Sequence, residues 1–112
     1  MTGSAEVRIV LSTAPPERAG SLARSLVQER LAACVNVIPA IQSVYRWEGR
    51  VQDDEEALLV IKSVSGRVEE LVSRLTELHP YDVPEALVLP VDGGSARYLE
   101  WVSDACEPDG SS

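Results

Sequence analysis

The chain has 112 residues, the usual size of a single domain. Its net charge of −8 argues against binding nucleic acid or anionic membranes, which requires a basic surface. No apolar run approaches the roughly 18 residues that cross a bilayer, and residues 1–6 lack the features of a signal peptide. We therefore predict a cytoplasmic protein in which Cys34 and Cys106 remain thiols.

The first half of the chain predicts one strand, one helix and two long strands. Residues 7–11 are rich in Val and Ile, as in a short strand. A helix with one apolar stripe begins no earlier than about Pro16, because a residue before proline avoids the α-region. β-rich stretches at 35–47 and 51–64 flank a Glu48-Gly49 turn, which predicts a long hairpin.

The second half predicts a helix, a strand and a final helix. Apolar residues at helical spacing begin at Val68, and Pro80 stops that helix. Residues 86–91 read as a strand, and Ser95 can cap a short helix. One face of that helix carries Tyr98, Trp101, Val102 and Ala105.

This order of elements, β-α-β-β-α-β followed by a helix, predicts the fold class. It is α+β, with the ferredoxin-like split βαβ plan, in which two helices cover one face of an antiparallel sheet. We expect one domain over residues 6–106, with loose ends at 1–5 and 107–112.

The length of the hairpin predicts an oligomer. Thirteen extended residues reach about 43 Å, whereas a globule of this size is roughly 35 Å across. A projecting hairpin with Tyr45, Trp47 and Val51 on its edges is protected when it pairs with another chain. We expect identical chains to pair in this way; the alternative is a bend at Pro39 that folds the hairpin back.

Several motifs carry a resemblance to a known family. They are VLSTAP at 10–15, LAACVNVIP at 31–39, SVYRWEG at 43–49, HPYDVPE at 79–85, LPV at 89–91 and YLEW at 98–101. In order and spacing the chain resembles the CutA family of divalent-cation tolerance proteins from about residue 7 to 101. The resemblance implies ferredoxin-like homotrimers similar to the PII signalling proteins, and a link to tolerance of copper and other divalent cations.

Two residues are candidate metal ligands. His79 is the single histidine, and imidazole is a common metal ligand; it could instead cap the second helix. Cys34 could bind a soft metal as a thiolate, or pack as a small apolar residue. The resemblance implies copper ligands from a cysteine at the end of the first strand and from two adjacent histidines before Pro-Tyr. This chain has Ser12 at the first position and Leu78 followed by His79 at the second. Copper or another divalent cation is the one candidate cofactor.

Two further sets of residues are candidate sites. A cleft between subunits would bring together polar and aromatic residues of the motifs, and the alternative is a hydrogen-bonded interface network. The cleft set is Trp47, Glu48, Lys62, His79, Tyr81 and Glu85. An acidic run could bind cations weakly, or form a solvated strand edge. That run is Asp53, Asp54, Glu55 and Glu56.

The sequence does not predict an enzyme. It has no GxSxG elbow, Walker loop or GxGxxG motif, so no catalytic residue is assigned. We predict a homotrimer in divalent-metal homeostasis, acting by cation binding or signalling. The alternatives are a binding module for a small anionic metabolite at the cleft and a trimer that scaffolds a partner protein.

Overall fold

The computed structural model describes residues 6–108. The predicted loose ends, 1–5 and 107–112, lie almost entirely outside this range and stay predictions. In chain order the elements are β1 (Val7–Ala14), α1 (Pro16–Gln28), β2 (Cys34–Trp47), β3 (Arg50–Val64), α2 (Val68–Leu78), β4 (Leu87–Pro90) and α3 (Ala96–Ala105). The predicted α+β class and the predicted order of elements are confirmed.

The four strands form one antiparallel sheet in the order β2-β3-β1-β4. This is the split βαβ arrangement, with β3 lying between β1 and β2. The core lies on the face covered by α1 and α2, because alternate strand residues and one stripe of each helix point there. Its buried side chains include Val10, Leu22, Leu26, Leu59, Ile61, Leu71 and Leu75.

Pairing in the sheet explains where strand limits differ from the prediction. β1 continues three residues beyond residue 11, because Ser12 and Thr13 pair with Leu59 and Leu58 of β3. β2 also continues through Pro39, where the register shifts between Ile38 and Ile41. This β-bulge accommodates the proline without ending the strand.

The hairpin of β2 and β3 projects from the body of the domain. Its tight turn places Glu48 and Gly49 at φ of 51° and 76°, the left-handed region that a two-residue hairpin turn requires. The chain extends over 49 × 28 × 22 Å, with a radius of gyration of 14.9 Å against about 13 Å for a compact domain of this length. The alternative of a hairpin folded back on its own domain is therefore wrong.

α3 covers one end of the second face of the sheet. Val102 and Cys106 are buried there against Val7 and Val64. Of the four residues predicted on one face of α3, Val102 is buried and Ala105 packs beside it, whereas Tyr98 and Trp101 are exposed. Cys106 directly precedes the predicted loose end, yet it is only 1% exposed, because the end of α3 packs its side chain against the sheet.

The rest of this second face, which we call the open face, has no helix over it in the described residues. Its apolar side chains are only half-buried or exposed. They include Ile9, Leu11, Leu58, Val60, Leu87 and Leu89. No helix within residues 6–108 has both the length and the apolarity to cross a membrane.

Candidate functional site

A cavity of about 680 Å³ lies at the hairpin end of the open face. The far half of β2, Glu56 of β3, Thr13 of β1 and the loop at 81–85 form its walls. Tyr45, Trp47 and Tyr81 supply aromatic surface to this cavity. The charged groups that line it are all carboxylates, from Glu56, Asp82 and Glu85.

Two tyrosine–carboxylate hydrogen bonds organise this cavity. The Tyr81 hydroxyl donates to Glu56 Oε2 at 2.8 Å, and the Tyr45 hydroxyl donates to Asp54. Burial and this contact with Glu56 raise the pKa of Tyr81 far above the ordinary tyrosine value. The hydrogen bond to Asp54 likewise raises the pKa of Tyr45. Both hydroxyls therefore remain protonated donors at neutral pH.

His79 is a positioning residue beneath the 81–85 loop. His79 is 7% exposed, and its Nε2 lies 2.7 Å from the Thr13 carbonyl while its Nδ1 accepts from the Tyr81 amide at 3.1 Å. A carbonyl can only accept, so Nε2 carries the proton and both ring nitrogens are occupied. His79 is the C-cap residue of α2, as predicted, but its ring bonds Thr13 and Tyr81, and Arg18 donates to the Leu78 carbonyl instead.

The two predicted metal ligands are not brought together within one chain. Cys34 pairs with Lys62 of β3, whereas His79 contacts Thr13, which pairs with Leu58. Four strand residues separate these positions, a distance of roughly 13 Å. Among the described residues, no group of three or more His, Cys, Asp or Glu side chains is placed to hold a metal ion.

The positions where the resemblance implies ligands are structural in this chain. Ser12 is fully buried on the core face of β1. Leu78 packs against the main core cluster from the end of α2. Neither side chain supplies a metal ligand, so a copper site of the implied kind is not assembled within the subunit.

The acidic run is divided between the two faces of β3. Asp54 and Glu56 lie on the cavity side, where Tyr45 and Tyr81 donate to them. Asp53 and Glu55 project from the opposite side, as strand alternation requires, and Asp53 accepts from Gln42 at 2.9 Å. One ion could contact a pair of these carboxylates but not all four.

The predicted cleft residues separate into two groups. Trp47, Tyr81 and Glu85 line the cavity, while His79 lies beneath its loop. Glu48 lies in the hairpin turn and is not among the lining residues. Lys62 donates to Asn36 and lies six residues along β3 from Glu56, roughly 20 Å away.

Sequence reasoning missed the contributions of Tyr45 and Glu56 to the cavity. Tyr45 precedes Trp47 by two residues in a strand, so alternation already placed both on one face. Glu56 was assigned to the acidic run alone. Its position beside the residues of β2 was harder to predict, because the bulge at Pro39 shifts the register of β2 against β3.

The Glu85 carboxyl gives a prediction of pH dependence. Burial and then the charge of Glu56 raise the pKa of Glu85. When the pKa of a group is higher in the folded than in the unfolded state, the protonated group favours the folded state. This stabilising contribution is complete below the pKa of the unfolded state, and it is lost as pH rises through the pKa of the folded state. Glu85→Gln removes the charge of this carboxyl and should therefore raise Tm at pH 7. The rise should be only about 1–4 °C, because Glu85 is exposed at the rim of the cavity.

Thermal unfolding of Glu85→Gln and of the parent, from pH 4 to pH 8, measures this effect. The difference in Tm should shrink towards pH 4. Glu55→Gln is the matched control, because it removes one carboxylate on the opposite side of β3. An equal rise in Glu55→Gln would assign the effect to net charge and contradict the local explanation.

The fold and the cavity define a class of protein. It is a small ferredoxin-like domain with an open sheet face, a projecting hairpin and a site at the hairpin's base. A solved structure described as the PII-like protein CutA from Nostoc sp. PCC 7120 matches it with a TM-score of 0.86 and 36% identity, covering 90% of this chain and 98% of that one. CutA1 from Oryza sativa matches with a TM-score of 0.90 and 43% identity, over 93% and 96% of the two chains.

The sequence comparisons lead to the family itself. Residues 8–105 match the CutA1 divalent ion tolerance protein family, and the chain belongs to that family. The chloroplastic CutA protein of Arabidopsis thaliana is 51% identical over 98 residues, 87% of this chain and 54% of that protein. The chain thus spans about half the length of this relative. Since the relative is named as chloroplastic, the cytoplasmic location of this chain stays a prediction. These family names describe no catalysed reaction.

Proposed function

We propose that the protein is a homotrimer that acts in tolerance of divalent cations. The observation that carries this proposal is the family match, which spans almost the whole described domain. Trimer formation would cover the apolar side chains of the open face and pair the edges of the hairpin. Copper is the candidate cation that the family resemblance suggests.

The route we favour for cation binding is weak and uses carboxylate oxygens. Asp53 and Glu55 share the side of β3 that faces away from the cavity, and both are exposed. Their oxygens suit hard cations better than soft ones. Cys34 remains the candidate for a soft ion such as Cu(I), because it is a free thiol and only partly buried.

Calorimetric titration of the reduced protein with Cu(II), anaerobic Cu(I) and Zn(II) tests this proposal. We expect weak saturable binding, with a Kd of about 10⁻⁴ M or above for an open oxygen site. Asp53→Asn should weaken the binding of Zn(II) and Cu(II), and Cys34→Ser should weaken the binding of Cu(I). His79→Ala should leave all three unchanged in affinity, because its ring nitrogens are already occupied.

The outcome that would contradict the proposal is also specific. A well-formed oligomer that gives no saturable heat with any of the three ions would show that tolerance does not involve direct binding. Loss of binding only in His79→Ala would instead show that the ring leaves Thr13 to bind the ion.

A further inference from the structure

The loop between α2 and β4 makes few hydrogen bonds. Residues 80–86, all of which the structure describes, form no backbone–backbone hydrogen bond outside the sheet. The Tyr81 amide donates to His79 Nδ1 at 3.1 Å, and the Tyr81 hydroxyl donates to Glu56 Oε2 at 2.8 Å. Val83 is 71% exposed, and most of its neighbours in the loop are exposed as well. A segment with so few contacts opens more easily than the core.

One of these two hydrogen bonds depends on the protonation state of His79. Nε2 lies 2.7 Å from the Thr13 carbonyl, which can only accept, so Nε2 carries the proton of the neutral ring. Nδ1 therefore has a free lone pair, which accepts from the Tyr81 amide. A second proton would have to bind at Nδ1, where it would point at an N–H group that cannot accept it. The charged ring and the contact with the Tyr81 amide therefore exclude each other.

The ionisable groups near His79 come from several elements and are mostly acidic. None of the ion pairs among the described residues includes the imidazole, so no carboxylate holds its charged form in the present arrangement. The carboxylates attract a proton towards the ring, whereas the one arginine opposes its charge. These groups are Arg18, which donates to the adjacent Leu78 carbonyl, Glu77 of α2, Glu56, which contacts Tyr81 as His79 does, and Tyr81, Asp82 and Glu85 of the loop.

We propose that protonation of His79 releases the loop at 81–85, which makes this loop a pH-sensitive element of the fold. When the ring gains its second proton, the Tyr81 amide loses its acceptor, and only the contact with Glu56 remains. Because release takes up a proton, acidification favours the released loop. Histidine is the side chain that most often changes charge between about pH 5 and 8. Since the loop forms one wall of the cavity, its release would change the shape of that cavity.

Nuclear magnetic resonance of the ¹⁵N-labelled protein, titrated from pH 7.5 to pH 5.0 in EDTA, tests this proposal. The chain has one histidine, so the imidazole signals report His79 alone, and EDTA keeps metal ions off the ring. We expect a neutral ring protonated at Nε2 at pH 7.5 and a doubly protonated ring as pH falls. With the same midpoint, the protection of the Tyr81 amide against hydrogen exchange should fall about tenfold or more, after correction for the intrinsic pH dependence of exchange.

The Tyr98 amide is the matched control within the same sample. It also donates to a side chain, Ser95 Oγ at 3.4 Å, and a serine hydroxyl does not titrate in this range. Its protection should stay within about twofold. His79→Asn replaces Nδ1 by an amide oxygen that accepts but does not titrate, so the Tyr81 amide of this variant should keep its protection at pH 5.0. If His79→Asn does not fold, the titration of the parent still decides the question.

Four results would overturn the proposal. They are a ring that stays neutral down to pH 5.0 in the folded protein, a doubly protonated ring with unchanged protection of the Tyr81 amide, an equal loss of protection at Tyr98, and the same loss in a folded His79→Asn variant. Each of them leaves the trimer and the divalent-cation proposal standing, because the proposed release involves contacts within one subunit and is measured without metal.

Discussion

A chain with a shortened hairpin should fold as a monomer. The change removes residues 44–53 and joins Ser43 to Asp54 through an Asn-Gly turn, which suits a two-residue hairpin. Every residue of the two buried clusters lies outside the deleted segment, so the core under α1 and α2 should persist. The deleted edges are the ones proposed to pair between subunits. Circular dichroism and light scattering measure fold and mass on the same sample.

The control for this deletion changes the turn without changing the hairpin length. Glu48→Asn keeps the left-handed conformation that the turn requires and should leave the oligomer intact. If the shortened chain keeps the mass of the parent oligomer, the hairpin is not the element that holds the subunits together.

The second large effect concerns the core under the helices. Ile61 is fully buried at the centre of β3, between the strands and the helix layer. Ile61→Ala should lower the free energy of unfolding by about 2–5 kcal/mol, because it removes buried methyl groups and leaves a cavity. Urea unfolding followed by circular dichroism, at one fixed protein concentration, gives this value.

Val27→Ala is the matched control for Ile61→Ala. Val27 lies on α1 and is 40% exposed, so its truncation should change stability by no more than about 0.5 kcal/mol. Similar losses in the two variants would mean that the packing assigned to the helix-covered face of β3 is wrong.

The fold could be predicted from the sequence because its signals are local. Proline at 16 and 80, the Glu48-Gly49 turn and the apolar spacing of both helices all act within a few residues. Strand limits were less predictable, since Ser12 and Thr13 become strand only through pairing with β3. The burial of Cys106 likewise depends on how α3 docks on the sheet, which no local pattern specifies.

The site was only partly predictable for the same reason. Trp47, Tyr81 and Glu85 were expected at a cleft between subunits, which stays a prediction; within one subunit they line a single cavity. Lys62 was expected at the same cleft, but within one subunit it lies six residues along β3 from Glu56. Its presence in the family motifs does not determine this distance, which is set by its place in the strand. The contact of His79 with the Thr13 carbonyl joins residues that are far apart in the chain, so the sequence left its role open.

The proposed homotrimer is the central claim, because it accounts for the open face and the hairpin edges together. Native mass spectrometry of the unaltered chain tests it most directly. Three copies of the 12.1 kDa chain give a complex of about 36 kDa, and we expect that mass to dominate at micromolar concentration. A dominant mass of 12.1 kDa would contradict the trimer, and it would show that the open face remains uncovered in solution.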